Sequence, residues 1–162
     1  MVFKWIDRVN DLDIIQFDMM TMGRITRDLK VWGTRGKQEI KDVLLDGGAS
    51  ISVMRKDLAS TLCGDALMPI LDKNGDPLPK KKLEITLGDG ETKLQALGAC
   101  GFSTVIDGRP VWDEAWVTEK LSSPLIIGAR TLQQFKIHLN YEPEEEGGDS
   151  IELGETSQVY YV

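Results

Sequence analysis

Short runs of alternating apolar and polar residues, separated by glycine-containing turns, extend from about residue 28 to residue 141. Alternation with a period of two is typical of strands that bury one face, and Asp-Gly or Asn-Gly between such runs is typical of tight turns. The pattern predicts an all-β domain in which helix is a minor component. With 162 residues, of which 41% are hydrophobic, the chain is long enough for one domain with one core.

Three pairs of these runs are predicted to form hairpins. The pairs are 29–32 with 39–45 across residues 33–36, 83–87 with 92–97 across 88–90, and 102–106 with 111–117 across 107–110. Short helices are predicted at 55–62 and 129–135. Residues 125–127 are wholly apolar, which indicates a strand buried on both faces. Residues 64–82 are rich in Pro, Asp, Lys and Gly and predict irregular structure.

Two flanks differ from this central region, so we divide the chain into three parts. Residues 1–22 are an N-terminal extension that is rich in methionine and shows no clear period. Residues 23–141 form the predicted domain. Residues 142–162 are interpreted as an acidic linker followed by a C-terminal strand, because 142–149 are acidic and glycine-rich whereas 157–162 regain β-forming residues.

Charge and composition exclude several classes of function. The net charge of −7 disfavours a surface that tracks phosphates, and the short basic run 80–82 is interpreted as a solvated turn, so no nucleic-acid partner is expected. No segment is apolar enough over the length of a membrane span, and the N-terminus has no uninterrupted apolar stretch. We therefore expect no membrane partner and a cytoplasmic or otherwise intracellular protein, or a fragment excised from a larger one.

The cysteines and the single histidine show no metal-ligand spacing, and the sequence has no phosphate-binding loop, so neither a metal nor another cofactor is expected. Cys63 and Cys100 are not in a CxxC arrangement; we predict reduced, buried thiols and leave a disulfide as the alternative. His138 falls in a predicted strand. Nothing in the sequence brings it to a serine or cysteine nucleophile.

The chemically most informative segment is a carboxylate that follows an apolar strand directly. Residues 43–45 are apolar, and they lead into Asp46, Gly47, Gly48, Ala49 and Ser50. The strand fixes the backbone, while the glycines allow a sharp turn that brings backbone amides close to the carboxylate. Asp-Gly is also a common turn dipeptide, so these residues by themselves favour an ordinary structural turn over a functional site.

Residues 44–50 resemble the active-site signature of the retropepsin family, the retroviral and retrotransposon-type aspartic proteases: two apolar residues, Asp, Thr or Ser, Gly, Ala and often Ser. Residues 125–128 are similar to the second family signature, in which an apolar pair, here Ile126 and Ile127, and then Gly128 lead into a short helix. Residues 135–141 resemble the closing strand. A glycine-containing hairpin, the flap over substrate, corresponds to Leu87, Gly88, Asp89 and Gly90.

The resemblance covers about residues 28 to 141 and implies a small closed barrel of the retropepsin type, with one or two short helices and one lobe per chain. Hydrolysis by this family needs two carboxylates about 3 Å apart that share one proton. The resemblance implies that Asp46 is the catalytic residue and that 47–50 form the active-site loop. Only Asp46 has the motif, since Asp107 lies in a predicted hairpin turn and lacks the Ala-Ser continuation. The second carboxylate is therefore expected from Asp46 of a partner in a homodimer, with a polypeptide bound in extended form.

Two positions depart from the family pattern. Gly47 stands where the family has Thr or Ser, whose hydroxyl hydrogen-bonds across the dimer. The retroviral Arg after the second glycine and its acidic partner are both absent, since Ala129 and Ser50 stand there, which resembles the cellular and retrotransposon-type branch. Gly47 supports an alternative: a catalytically weak or inactive dimerisation or peptide-binding module. A third possibility is a monomeric domain from a polyprotein, inactive until concentrated.

Overall fold

The computed structural model describes residues 15–16, 24–86, 91 and 93–156, the first pair by backbone alone. The strands are β1 (Ile15–Gln16), β2 (Ile25–Trp32), β3 (Lys37–Asp46), β4 (Val53–Arg55), β5 (Glu84–Thr86), β6 (Lys93–Gln95), β7 (Gly98–Ile106), β8 (Arg109–Thr118), β9 (Leu125–Gly128), β10 (Ile137–Asn140) and β11 (Ser150–Leu153). The α-helices are α1 (Lys56–Cys63) and α2 (Ala129–Gln134), and single 3-10 turns occur at Lys80–Lys82 and Glu144–Glu146.

Six strands close into a barrel in the order β2-β3-β9-β4-β8-β7. The hairpins β2–β3 and β7–β8 are antiparallel, whereas β3 pairs with β9, and β4 with β8, in parallel. Closure removes the exposed edges that an open sheet of this size would leave. The prediction of a mostly β domain with a closed barrel and two short helices is confirmed.

The three predicted hairpins are all present. The turn between β7 and β8 is only two residues long, and Asp107 (φ 48°) and Gly108 (φ 87°) are both left-handed. Asp-Gly tolerates this conformation, whose twist matches that of the flanking strands. The hairpin β5–β6 is short, and its parallel neighbour β1 completes a three-stranded sheet outside the barrel.

Alternate residues of the barrel strands point to two separate cores. The interior core includes Val43, Leu45, Met54, Phe102, Val117, Leu125 and Ile127. The outer core lies on the other side of the same strands and includes Leu44, Ala49, Ile51, Val53, Ile85, Leu94, Trp116 and Ile126. Strands β3 and β9 are thus covered on both faces, as the wholly apolar run 125–127 predicted.

Helix α1 buries Leu58, Ala59 and Leu62 and ends at Gly64, whose φ of 75° suits glycine. Cys63, the last residue of α1, forms a disulfide with Cys100 in β7. The prediction of reduced thiols was therefore wrong. The two residues are 37 apart in sequence, and only the packing of α1 on β7 brings their Cα atoms to 6.3 Å, which is within the range that a disulfide spans.

The C-terminal part adds a two-stranded antiparallel sheet, β10–β11, in which Leu139 lies opposite Ile151. Leu139, Ile151 and Leu153 pack against the interior core. β11 begins directly after the acidic segment 142–149. The strand predicted at 157–162 lies outside the described residues, as does most of the N-terminal extension. In the part of the chain that is described, no helix has the length and hydrophobicity to cross a membrane.

Candidate active site

Asp46 is the last residue of β3 and is almost fully buried, with 4% of its surface exposed. The Gly48 amide donates a 2.8 Å hydrogen bond to Asp46 Oδ1, and the Ala49 amide donates a 3.2 Å bond to the Asp46 carbonyl oxygen. The carboxylate is thus oriented by the backbone of its own turn. A side chain held in this way needs little reorganisation when a reaction begins.

The loop after Asp46 is bonded to the start of α2. Gly128 lies beside Asp46 in the parallel ladder of β3 and β9. The Ala129 amide donates a 2.7 Å bond to the Ala49 carbonyl, and the Arg130 amide donates a 3.1 Å bond to the Ser50 carbonyl. The two segments that the sequence motifs indicated, 46–50 and 126–128, are therefore adjacent in the structure and joined through backbone hydrogen bonds.

Gly128 has no room for a side chain, because the backbone of Ile51 lies against its Cα atom. A Cβ atom on Gly128 would lie 2.3 Å from both the carbonyl carbon and the carbonyl oxygen of Ile51. Such a distance is far inside van der Waals contact, and the neighbour is backbone that cannot rotate away. A glycine is required at position 128 because the backbone of Ile51, directly after the loop 47–50, passes over it.

A series of linked hydrogen bonds connects the end of the loop to α2 and β8. The Gly128 amide donates to Ser52 Oγ at 3.1 Å, and Thr131 Oγ1 donates to Asp113 Oδ2 at 2.5 Å. Ser52 Oγ and Thr131 Oγ1 are 2.9 Å apart. Because the Thr131 proton goes to Asp113, the Ser52 hydroxyl donates to Thr131. The chain runs in one direction and joins β9, the loop, α2 and β8.

The β5–β6 hairpin stands next to the loop. Ile85 and Leu94 belong to the same outer core as Ala49 and Ile51, so the hairpin and the loop after Asp46 share one hydrophobic core. The predicted flap residues, Leu87, Gly88, Asp89 and Gly90, lie outside the described residues.

Tyr141, directly after β10, reaches the other side of the loop. Burial is the largest cause that raises the pKa of its phenol above 10.0, and the negative charge of Asp46 raises it further. The backbone of Gly47 acts on this pKa in the opposite direction, and Asp149 adds a smaller increase. Tyr141 and Gly47 line the same cavity, so the Tyr141 side chain lies near the loop that follows Asp46.

A cavity of about 490 Å³ separates the Asp46 loop from the C-terminal sheet. Gly47 lines one side, residues of α2 another, and the whole of β10 with Tyr141 the third. The C-terminal sheet therefore borders the loop.

Other candidate residues lie apart from this constellation. Asp107 is in the β7–β8 turn, where its Oδ1 pairs with Arg27 Nε at 2.8 Å. His138 is exposed on β10, opposite Glu152. The Ser50 hydroxyl is buried and has no hydrogen-bond partner among the described residues. In that same part of the chain, no group of three or more His, Cys, Asp or Glu side chains could hold a metal ion.

Sequence reasoning missed three residues of the site: Asp113, Thr131 and Tyr141. Thr131 and Asp113 carry no local motif, and their bond links residues from separate elements. Tyr141 was noted only as the end of a closing strand. Its aromatic position after an alternating run was the sole available signal, and that signal is also typical of an ordinary core residue.

No protein-family model matches the chain, and no curated protein matches it. The resemblance to retropepsins stays a prediction that rests on the residues quoted above.

Proposed function

We propose that this chain is one protomer of a homodimeric aspartic endopeptidase of the retropepsin type, with Asp46 as its catalytic carboxylate. The observation that carries the proposal is the buried Asp46 carboxylate at the end of a barrel strand, with its Oδ1 bonded to the Gly48 amide. Burying a carboxylate is unfavourable unless the fold compensates it, so such groups are enriched at functional sites.

The edge of strand β10 that faces away from β11 is a second observation in favour of a homodimer. Gly154 donates its amide to the Lys136 carbonyl, which makes residues 136 and 154 a hydrogen-bonded pair of the antiparallel ladder. Because such pairs alternate, the amides of Ile137 and Leu139 point away from β11. Among the described residues β10 has no strand on that side. A second copy would pair its own β10 there about a two-fold axis and give the strand order β11-β10-β10-β11.

This pairing would bring two loops near each other, because β10 and Gly47 line one cavity. Two Asp46 carboxylates near one axis would share a proton, since two adjacent charges do not both ionise readily. One carboxylate would act as general base on a bound water. Its protonated mate would polarise the scissile carbonyl and then assist departure of the amine. The apparent pKa values would belong to the pair.

The proposed substrate is a polypeptide, as the resemblance implies, and the β5–β6 hairpin is the element proposed to pair with it. A polypeptide in extended form would lie along the Asp46 loop beside the β5–β6 hairpin, whose Ile85 and Leu94 share the outer core with Ala49 and Ile51. Backbone pairing with the hairpin would give affinity, and alternate side chains would set the cleavage preference.

Gly47 favours a second candidate function, a dimerisation or peptide-binding module without hydrolysis. A glycine brings no hydroxyl to the two-fold axis. If one hydrogen bond per protomer is lost, at about 0.5–1.5 kcal/mol each, the dimer is weakened about ten- to a hundred-fold. Such a module would need the fold but not the charge of Asp46.

The deciding experiment is cleavage of a proteome-derived peptide mixture, read by mass spectrometry from about pH 4 to pH 7, where a shared-proton carboxylate pair is active. The parent, Asp46→Asn and Asp107→Asn are compared at high protein concentration. Cuts made by the parent and Asp107→Asn but not by Asp46→Asn establish the endopeptidase. If all three are folded dimers and none cuts, the binding-module function replaces it.

A further inference from the structure

The outer edge of strand β5, the edge that faces away from β6, already carries a strand from another part of the chain. β1 pairs with β5 in parallel, with Ile15 opposite Ile85 and Gln16 opposite Thr86. β6 pairs with the other edge, so β5 is the central strand of the three-stranded sheet. The chain therefore supplies an extended segment of its own to the hairpin that is proposed to pair with a polypeptide.

The pairing of β1 is short enough to be displaced. It spans two residues, whereas β5 has three, and all three pair with β6. Parallel pairing is slightly less stable per residue than antiparallel pairing, and one net hydrogen bond shifts an equilibrium by only about two- to ten-fold. β5 is the one neighbour of β1 among the described strands. Displacement of β1 therefore breaks no hydrogen bond of the barrel.

Charge distinguishes the two ends of this outer edge. The turn of three lysines, Lys80–Lys82, lies one residue before β5. In a parallel pair both strands start at the same end, so a polypeptide bound here carries its residues N-terminal to the paired segment on the lysine side. In this chain the residues N-terminal to Ile15 include Asp11 and Asp13. By charge complementarity, the edge favours a segment in which acidic residues precede apolar ones.

We propose that the outer edge of β5 is the polypeptide-binding edge of the site, that it takes extended segments with acidic residues before the paired ones, and that residues 15–16 occupy it as an internal competitor. The inference deepens the proposed function and rests on it for its catalytic consequence. Substrate replaces β1 and pairs with all three residues of β5, which is the strand addition by which extended peptides bind other sheet edges.

The first test measures binding and needs no activity. A fluorescent peptide with the sequence of residues 11–18 is titrated into the full chain, and its anisotropy gives the Kd. Ile15→Pro/Gln16→Pro removes both amide hydrogens of β1, so β1 leaves β5 and the Kd should fall about ten-fold. The matched control Ile15→Ala/Gln16→Ala keeps both amides and should stay within about three-fold of the parent. Equal Kd values for the parent and the proline variant, or no binding to either, would overturn the inference.

A measurement on the parent chain covers the case in which the proline variant does not fold. Unlabelled peptide is added to nitrogen-15-labelled protein, and the amide resonances of residues 15–16 and 84–86 are followed. Both sets should shift, and solvent exchange of the β1 amides should accelerate as the peptide displaces them. Shifts confined to residues 93–95 would place the peptide on β6 instead and contradict the assignment to β5.

Lys80→Gln/Lys81→Gln tests the preference for acidic segments. Loss of two cations beside β5 should weaken binding of the peptide about three-fold at low ionic strength, and less at about 0.5 M salt, where exposed charges are screened. The control Lys37→Gln/Lys120→Gln removes the same charge from exposed positions elsewhere and should leave the Kd nearly unchanged. Equal weakening in both variants would refute the acidic class of ligand.

The kinetic test is decided separately from the binding test. In an Asp46-dependent endopeptidase, Ile15→Pro/Gln16→Pro should lower KM about ten-fold and leave kcat unchanged, because an internal competitor affects substrate binding alone. Unchanged KM together with an unchanged peptide Kd rejects the inference while the proposed function stands. Tighter peptide binding by the proline variant, in a protein that cuts no peptide, supports the inference and removes the catalytic function.

Discussion

The Asp46 loop and the C-terminal sheet are neighbours, yet they differ in how completely one chain satisfies them. The loop bonds to α2 through the carbonyls of Ala49 and Ser50, and the chain from Gly128 to Asp113 supports it. β10, in contrast, has a partner on one side only among the described residues. A single chain therefore holds the backbone of the loop in place, whereas one edge of β10 has no partner strand in the part of the chain that is described. The following changes break or sharpen this contrast.

Gly128→Val should have the largest effect. Its side chain would collide with the Ile51 backbone, where even a Cβ would lie at 2.3 Å, so we expect a loss of more than about 4 kcal/mol or no folded protein. Urea denaturation followed by circular dichroism measures it. Gly101→Ala is the control, since the new Cβ meets only Met68 Cε at 3.7 Å. A folded Gly128→Val protein of parental stability would disprove the close approach.

Thr131→Val tests the buried chain of hydrogen bonds beneath the loop. Valine has nearly the shape of threonine but leaves Ser52 and Asp113 without the central hydroxyl. Since buried polar groups are left unpaired, the free energy of unfolding should fall by about 2–3 kcal/mol. Thr61→Val, on the exposed surface of α1, should change it by less than about 0.5 kcal/mol. Equal effects of the two substitutions would contradict the network.

Leu139→Pro tests the open edge of the sheet. The Leu139 amide points away from β11, so its loss spares the β10–β11 pairing but removes one bond on each side of the two-fold axis. Sedimentation should show a dimer about ten- to a hundred-fold weaker than that of Leu139→Ala, which loses the side chain but keeps the N–H. If the two variants dimerise equally well, this edge is not the interface.

Asp57→Asn should have the smallest effect and provides a baseline outside both regions. The Arg55 guanidinium, 2.8 Å away, is the main cause that lowers the Asp57 pKa below 3.8. A lowered pKa in the fold stabilises the protein above about pH 3.8 and loses that effect as the pH falls through the folded value. Since the pair is exposed, Asp57→Asn should lower stability at pH 7 by under about 0.5 kcal/mol and flatten the acid limb.

Local pattern predicted most of the barrel. The alternating arms around 33–36 and 107–110 became β2–β3 and β7–β8, and the apolar runs before Asp46 and Gly128 became β3 and β9. These predictions succeeded because each depends on residues that are adjacent in sequence or joined by a short turn. The position of Asp46 at a strand end follows for the same reason.

Contacts between distant residues were not predictable in this way. The disulfide joins positions 37 apart, and the Ser52–Thr131 bond joins positions 79 apart. Neither leaves a periodic signal, since each requires only one side chain at the right point on a folded surface. β11 was missed because its four residues, Ser150–Leu153, follow an acidic stretch whose composition is typical of a linker.

The disulfide between Cys63 and Cys100 has a consequence for any cut in the chain. It encloses residues 64–99, which contain the irregular segment after α1 and the whole β5–β6 hairpin. A peptide bond hydrolysed there, by this protein or by another protease, would leave both fragments covalently joined. Such a nicked chain would migrate as one band on a denaturing gel without reductant and separate into two when reductant is added.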